Sequence, residues 1–243
     1  MIVLINKKTI QMIVAIALII IIITAGIIVY NNKKGISTVT NNKEISKPIN
    51  MGGDDTNYIA FTCNVDWGNE VIPEILNILR EQDIKITFFV TGRWVKEFPD
   101  IFKTIVDEGH EIGSHGYEHL NYSTLSLEEN RKQIKKAEEI IIKYVNIKPT
   151  LFAPPSGDYN QSTLVAAEEL GYKTILWSID TIDWHQGSTK EIIIERVMNK
   201  PKHNGAIVLM HPMPETAKAL PTIIEKLNEK NLKVGRVTDI LID

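Results

Sequence analysis

From Tyr58 to the C-terminus the chain alternates short runs of β-branched and aromatic residues with longer segments whose apolar residues recur at helical spacing. The runs Tyr58–Val65, Ile84–Val90, Glu111–Ile112, Thr150–Ala153, Thr174–Ile179, Gly205–Met210 and Lys233–Val237 read as strands. Between them, Val71–Arg80 carries apolar residues at Val71, Ile75, Leu76, Ile78 and Leu79, and Pro99–Glu108 is opened by Pro99 and closed by Gly109. Ser126–Tyr144, Ser162–Leu170, Thr189–Met198 and Glu215–Asn231 read as further helices, the first with Ser126 and Glu129 in the pattern of a capping box. Strands joined through helix-length connections run parallel, so the chain predicts an α/β fold with helices outside a parallel sheet. About seven strands, each followed by a helix-sized segment and none reading as a clear edge, suit a closed or nearly closed barrel. In such barrels the chemistry sits at the C-terminal ends of the strands.

The front of the chain is of another kind. Met12 to Tyr30 is an uninterrupted apolar run, close to the ~20 residues a helix needs to cross a bilayer, with Lys7 and Lys8 before it and Lys33 and Lys34 after it. Thr24-Ala25-Gly26 is followed by more apolar residues, which favours an uncleaved signal anchor over a cleaved signal peptide. The lysines balance across the run, and the short N-terminal tail favours an inside N-terminus with the bulk of the chain outside. Asn31–Asp55 has the polar composition of a solvated tether. The expected organisation is a transmembrane segment over 1–34, a stalk over 35–55 and a folded domain over 56–243. A net charge of −3 argues against a nucleic-acid binder, and the single cysteine, Cys63, excludes an intramolecular disulfide. So little cysteine in an exported chain points to a bacterial membrane protein facing outward, or to a secreted form if the segment is cleaved.

The residues that follow the strand candidates are mostly polar or metal-binding: Asn64 and Asp66, Thr91 to Trp94, His115 and His119, Pro154 to Gly157, Asp180 with Asp183-Trp184, and His211. Two histidines four residues apart can face one divalent metal, and Asp66 would complete a two-imidazole, one-carboxylate set with open positions. Phe61-Thr62-Cys63-Asn64-Val65-Asp66-Trp67-Gly68, His115-Gly116-Tyr117-Glu118-His119, Phe152-Ala153-Pro154-Pro155-Ser156-Gly157, Asp180-Thr181-Ile182-Asp183-Trp184 and Ile207-Val208-Leu209-Met210-His211 resemble, in order and spacing, the five motifs of the polysaccharide deacetylases, carbohydrate esterase family four. The resemblance implies a distorted (β/α) barrel and metal-dependent removal of N-acetyl groups from amino sugars of peptidoglycan or a chitin-like polymer. It implies Asp66, His115 and His119 as ligands of Zn, or of Co, Ni or Mn. It further implies His211 as general acid, with Asp183, or else Asp180, orienting it, and Pro155, Ser156 and Leu209 at the substrate. Trp94 and Trp184 either wall a sugar groove or pack at the barrel rim.

Two departures from the family pattern belong together. In the register that keeps Thr62 and a complete metal triad, Asn64 stands where the family has its base aspartate, and an amide cannot take a proton from water at neutral pH. Ala153 stands where the family has the arginine beside that base; losing both spares the cost of an arginine without its counter-charge. A register anchored on Gly68 would instead place Asp66 at the base position, with Trp67 in the metal carboxylate's place. Ser156 replaces a tyrosine common in the family. The sequence therefore supports a deacetylase in which a metal or Asp66 activates water, a non-catalytic member that binds cell-wall glycan, or a membrane-tethered scaffold.

Overall fold

The structure is a computed structural model that describes Thr24, residues 45–53 and residues 55–241. Its strands are β1 (Tyr58–Val65), β2 (Thr87–Val90), β3 (Glu111–Ser114), β4 (Leu151–Phe152), β5 (Lys173–Thr174), β6 (Ile179–Asp180), β7 (Ile207–Met210) and β8 (Lys233–Gly235). They pair in the order β5-β4-β3-β2-β1-β7-β6, all parallel, and β8 pairs with the first half of β1 while β2 pairs with its second half. The helices α1 (Ile72–Glu81), α2 (Gly92–Glu97), α3 (Pro99–Asp107), α4 (Leu127–Val145), α5 (Gln161–Glu169), α6 (Lys190–Met198) and α7 (Pro214–Glu229) fill the connections. The result is a curled (β/α) half-barrel whose two end strands, β5 and β6, follow one another in the chain.

The period of two along the central strand sorts its residues between two cores. Ile59, Phe61, Cys63 and Val65 face the helices, packing with Ile72, Ile75, Leu76 and Leu79 of α1 and with Leu220, Ile223 and Leu227 of α7. Ala60 faces inward, with Phe89, Leu151, Ile207 and Val237. Burial of each Ile or Leu of these clusters stabilises the fold by about 1.5–3 kcal/mol. Within the same inner column the Thr62 hydroxyl donates to Val208 O at 3.0 Å, so its burial costs no lost hydrogen bond. Gly113 leaves room for the Phe89 ring, which would stand 2.3 Å from a Cβ at that position. Ser126 and Glu129 form the expected capping box at the start of α4.

Three differences from the expected elements matter. The predicted strand Thr174–Ile179 is two short strands, because its start pairs with β4 and its end with β7 on the far side of the sheet. One straight segment cannot follow both ladders, and the residues between them, including Trp177, turn out of register. Thr91–Trp94, to which the sequence assigns no element, opens a helix: the Thr91 hydroxyl caps α2 by accepting from Trp94 N. That turn sends Trp94 into the helix-side core, 1 % exposed.

The third difference is the domain boundary. Residues 45–53, expected within the stalk, are part of the compact unit that begins at Ile45. Ile49 N donates to Thr174 O at 2.9 Å and Leu176 N to Ile49 O at 2.7 Å, while Gly52 N donates to Gly205 O at 2.7 Å and Gly53 N to Ile240 O at 3.2 Å. The segment thus spans from the β5 end of the sheet to the start of β7, where Met51 lies opposite Ala206. A chain starting at Thr56 should be about 2–4 kcal/mol less stable than one starting at Ile45, at ~1 kcal/mol per lost bond; urea unfolding of the two would show it, and equal midpoints would mean the segment contributes nothing. Among the described residues no helix is long and apolar enough to cross a membrane. The anchor expected at Met12–Tyr30, Thr24 apart, lies outside them.

Candidate active site

A cavity of about 330 Å³ opens at the C-terminal ends of the strands. It is lined by Asn64, Asp66, Trp67, His115, His119, Ser156, Trp177, Asp180, Trp184, Leu209 and His211. The strand period explains the set. Val65 belongs to the helix-side core, so Asn64 and Asp66 share the inner face, as Leu209 and His211 do on either side of Met210. Asn64 and Asp66 therefore both point into one cavity, with Trp67 beside them in its wall.

His211 and Asp183 form a fully bonded pair. The Asp183 carboxylate, with its side chain 0 % exposed, accepts from His211 Nδ1 at 2.8 Å, from His211 N at 2.7 Å and from the Thr216 hydroxyl at 2.6 Å. A carboxylate only accepts here, so Nδ1 carries the proton and Nε2 is left for the cavity. The Trp67 ring stacks on His211, centroids 5.6 Å apart and planes 10° from parallel. Asp180, the other candidate for the orienting role, accepts instead from Ile182 N at 2.8 Å. Its carboxylate shapes the loop and lines the cavity.

His115 and His119 come together with ring centroids 5.3 Å apart. His115 Nδ1 lies 2.7 Å from Ala153 O and must donate to it, which leaves Nε2 as an acceptor towards the cavity. Burial first, and then the neighbouring His119, push the His115 pKa down to about 3 against the pull of that hydrogen bond. Burial also lowers His119. Both rings are therefore neutral near pH 7, the form in which imidazole binds a metal or accepts a hydrogen bond.

Asp66 lines the same cavity as His115 and His119, but its oxygens are engaged by neighbouring side chains. Its Oδ1 accepts from the Thr91 hydroxyl at 2.6 Å and from Arg93 Nε at 2.6 Å, and its Oδ2 from Arg93 Nη2. The carboxylate is nearly buried, with the side chain 4 % exposed, and both oxygens are committed to a bidentate guanidinium. Among the described residues no group of three or more His, Cys, Asp or Glu side chains stands where it could hold a metal ion. Two neutral imidazoles suit a cation; the carboxylate arm, as placed, does not.

Asn64 is 5 % exposed, and its Oδ1 is buried without a hydrogen-bond partner among the described residues. Ala153 contributes only its carbonyl, to His115. Ser156 lines the cavity from a left-handed backbone conformation, φ 56°, while Pro155 is buried and absent from the lining. Trp184 lines the cavity and is 53 % exposed. Trp94 corrects the groove expectation, because the cap of α2 turns it into the core. Trp177, Trp67 and Arg93 were not foreseen as site residues. Trp177 was hidden inside one predicted strand, Trp67 was visible only as a motif neighbour, and nothing local marks Arg93 as the partner of Asp66.

The profile of the family described as polysaccharide deacetylase matches residues 52–175. The chain belongs to this family. It is 38 % identical over 195 residues to the uncharacterized protein YlxY of Bacillus subtilis (strain 168), covering 80 % of this chain and 60 % of that protein. It is 34 % identical over 180 residues to a peptidoglycan-N-acetylglucosamine deacetylase of Bacillus cereus, covering 72 % of this chain and 65 % of that protein. The deacetylase-family chain thus spans less than two thirds of the length of each. Among solved structures it is similar to a CE4 family pseudoenzyme from Bacillus anthracis, with a TM-score of 0.78 and 44 % identity over 81 % of this chain and 69 % of that one. A mutant of that pseudoenzyme with restored enzymatic activity matches with the same TM-score of 0.78 at 43 % identity.

Proposed function

We propose that this chain binds N-acetylated cell-wall glycan in its strand-end cavity, with hydrolysis of the acetamide strongly reduced, and that the apolar N-terminal segment holds it at the outer face of a bacterial membrane. The observation that carries this reading is Asn64. It stands on the inner face at the end of β1 where the family's base aspartate is expected, and its amide cannot accept a proton from water. The unpartnered Oδ1 can instead accept a hydrogen bond from an acetamide N–H or a sugar hydroxyl, which would relieve the cost of its burial. The Nε2 atom of His115 adds an acceptor, and Trp67, Trp177 and Trp184 offer aromatic faces to the apolar side of a sugar ring. Peptidoglycan is the favoured polymer because a related deacetylase is named for it. Kinship with a pseudoenzyme of the same family supports reduced turnover, and activity regained in that protein's mutant supports a scaffold still close to catalysis.

The test is retention of the purified chain on N-acetylated peptidoglycan beside an assay for released acetate. Retention is expected, reduced about tenfold or more by Trp184→Ala, corresponding to an aromatic–sugar contact of about 1.4 kcal/mol. Turnover near 1 s⁻¹, ordinary for an enzyme, would sink the binding reading. A second reading, slow hydrolysis, is favoured by the intact Asp183–His211 pair, which could still protonate a leaving amine. It requires acetate release that disappears in His211→Ala.

A further inference from the structure

We propose that Arg93 acts as a built-in cation on Asp66, closing the carboxylate arm of the pocket to divalent metals, so that the histidine pair works without a third ligand. The arrangement is anchored at several points. Arg93 N donates to Tyr117 O at 3.0 Å and Gly92 N to Gly116 O at 2.9 Å, tying the first turn of α2 to the loop that carries both histidines. Thr91 serves twice: its hydroxyl accepts from Trp94 N to cap the helix and donates to Asp66 Oδ1. The guanidinium then meets the carboxylate with two parallel bonds, the geometry in which an Arg–carboxylate pair is strongest.

A divalent ion at this position would have to displace those bonds and leave a permanently charged guanidinium beside it. Both effects oppose metal binding: the bonds to be displaced sit on a nearly buried carboxylate, and the repulsion from the half-exposed guanidinium, moderated by solvent, adds to them. The Arg93 side chain is itself half exposed, so its removal empties no core space. A guanidinium thus reaches this site from α2, and it neutralises Asp66.

Zinc binding by the full chain, followed by calorimetry without glycan, tests this. The parent is expected to bind Zn²⁺ weakly, and Arg93→Ala to bind it roughly 10- to 100-fold more tightly, the range over which groups bonded to metal ligands tune affinity. The Asp66→Asn/Arg93→Ala chain should fall back to the parent's affinity. Arg93→Gln, which removes the charge and keeps a polar side chain of similar reach, must move in the same direction as Arg93→Ala and stands in for it if thermal unfolding shows the alanine variant misfolded. Affinity within twofold of the parent's in the arginine variants, or a gain that survives loss of the Asp66 carboxylate, overturns the proposal. Since no glycan enters the measurement, its failure leaves glycan binding untouched, and failed glycan retention leaves this result standing.

Discussion

Asn64→Asp is expected to raise the rate of acetate release from N-acetylated glycan by about 10²-fold or more, the scale at which a positioned general base contributes. The substitution changes no volume and puts a carboxylate at the inner end of β1, in the cavity that already holds His211 on its Asp183 partner. A water beside the new carboxylate could lose its proton there, while His211, in the imidazolium form that carries a second proton on Nε2, could give that proton to the departing amine and return to the neutral ring bonded to Asp183. The gain carries a stability cost. Position 64 is 5 % exposed and Ala153 supplies no counter-charge, so a carboxylate there should lower stability by about 1–3 kcal/mol at neutral pH. Acetate release and urea unfolding on the same preparation measure both. A folded, destabilised Asn64→Asp chain with no added acetate release would show that the defect in hydrolysis lies elsewhere in the pocket.

Asp183→Ala should produce the largest loss of stability among single changes at the site, about 3–5 kcal/mol. Three donors converge on this one carboxylate: the His211 backbone amide, the His211 ring and the Thr216 hydroxyl. Alanine strands all three inside a region where the Asp183 side chain has no exposure to water. The His211 ring would lose the bond that sets its tautomer, leaving only the Trp67 stack to hold it. Asp180→Ala is the matched control, because among the described residues its carboxylate bonds one backbone amide and is partly open to solvent; its cost should stay at ~1 kcal/mol. Chemical unfolding compares the two, and equal losses would mean the converging bonds at Asp183 carry no special weight.

Much of this site is legible in the sequence because strands alternate with a fixed period. Once Tyr58–Val65 is read as a strand, a strand it is, with the same bounds in the structure. Parity then forces Asn64 and Asp66 to one face and Val65 to the other, and the parallel fold brings that face's ends together with His115, His119 and His211 at one rim. The capping box at Ser126 and Glu129 is equally local, since both partners lie within one turn. These features depend on residues a few positions apart, and short-range sterics and hydrogen bonding decide them.

What local pattern could not decide was which long side chains meet across elements. Trp94 looked available to a sugar until the Thr91 cap fixed the direction of α2 and buried it. Thr174–Ile179 reads as one strand by composition, yet its two ends satisfy ladders on opposite sides of the sheet, so the curl of the sheet breaks it and delivers Trp177 to the cavity. Ile49 satisfies backbone groups that the gap between those ladders leaves open, and packs against the inner core. The sequence by itself determined a parallel α/β fold with histidines, acids and an asparagine at its strand ends. Only the tertiary structure decided that Asp66 belongs to Arg93, because an arginine from a separate helix reaches it through space, and no spacing along the chain encodes that distance.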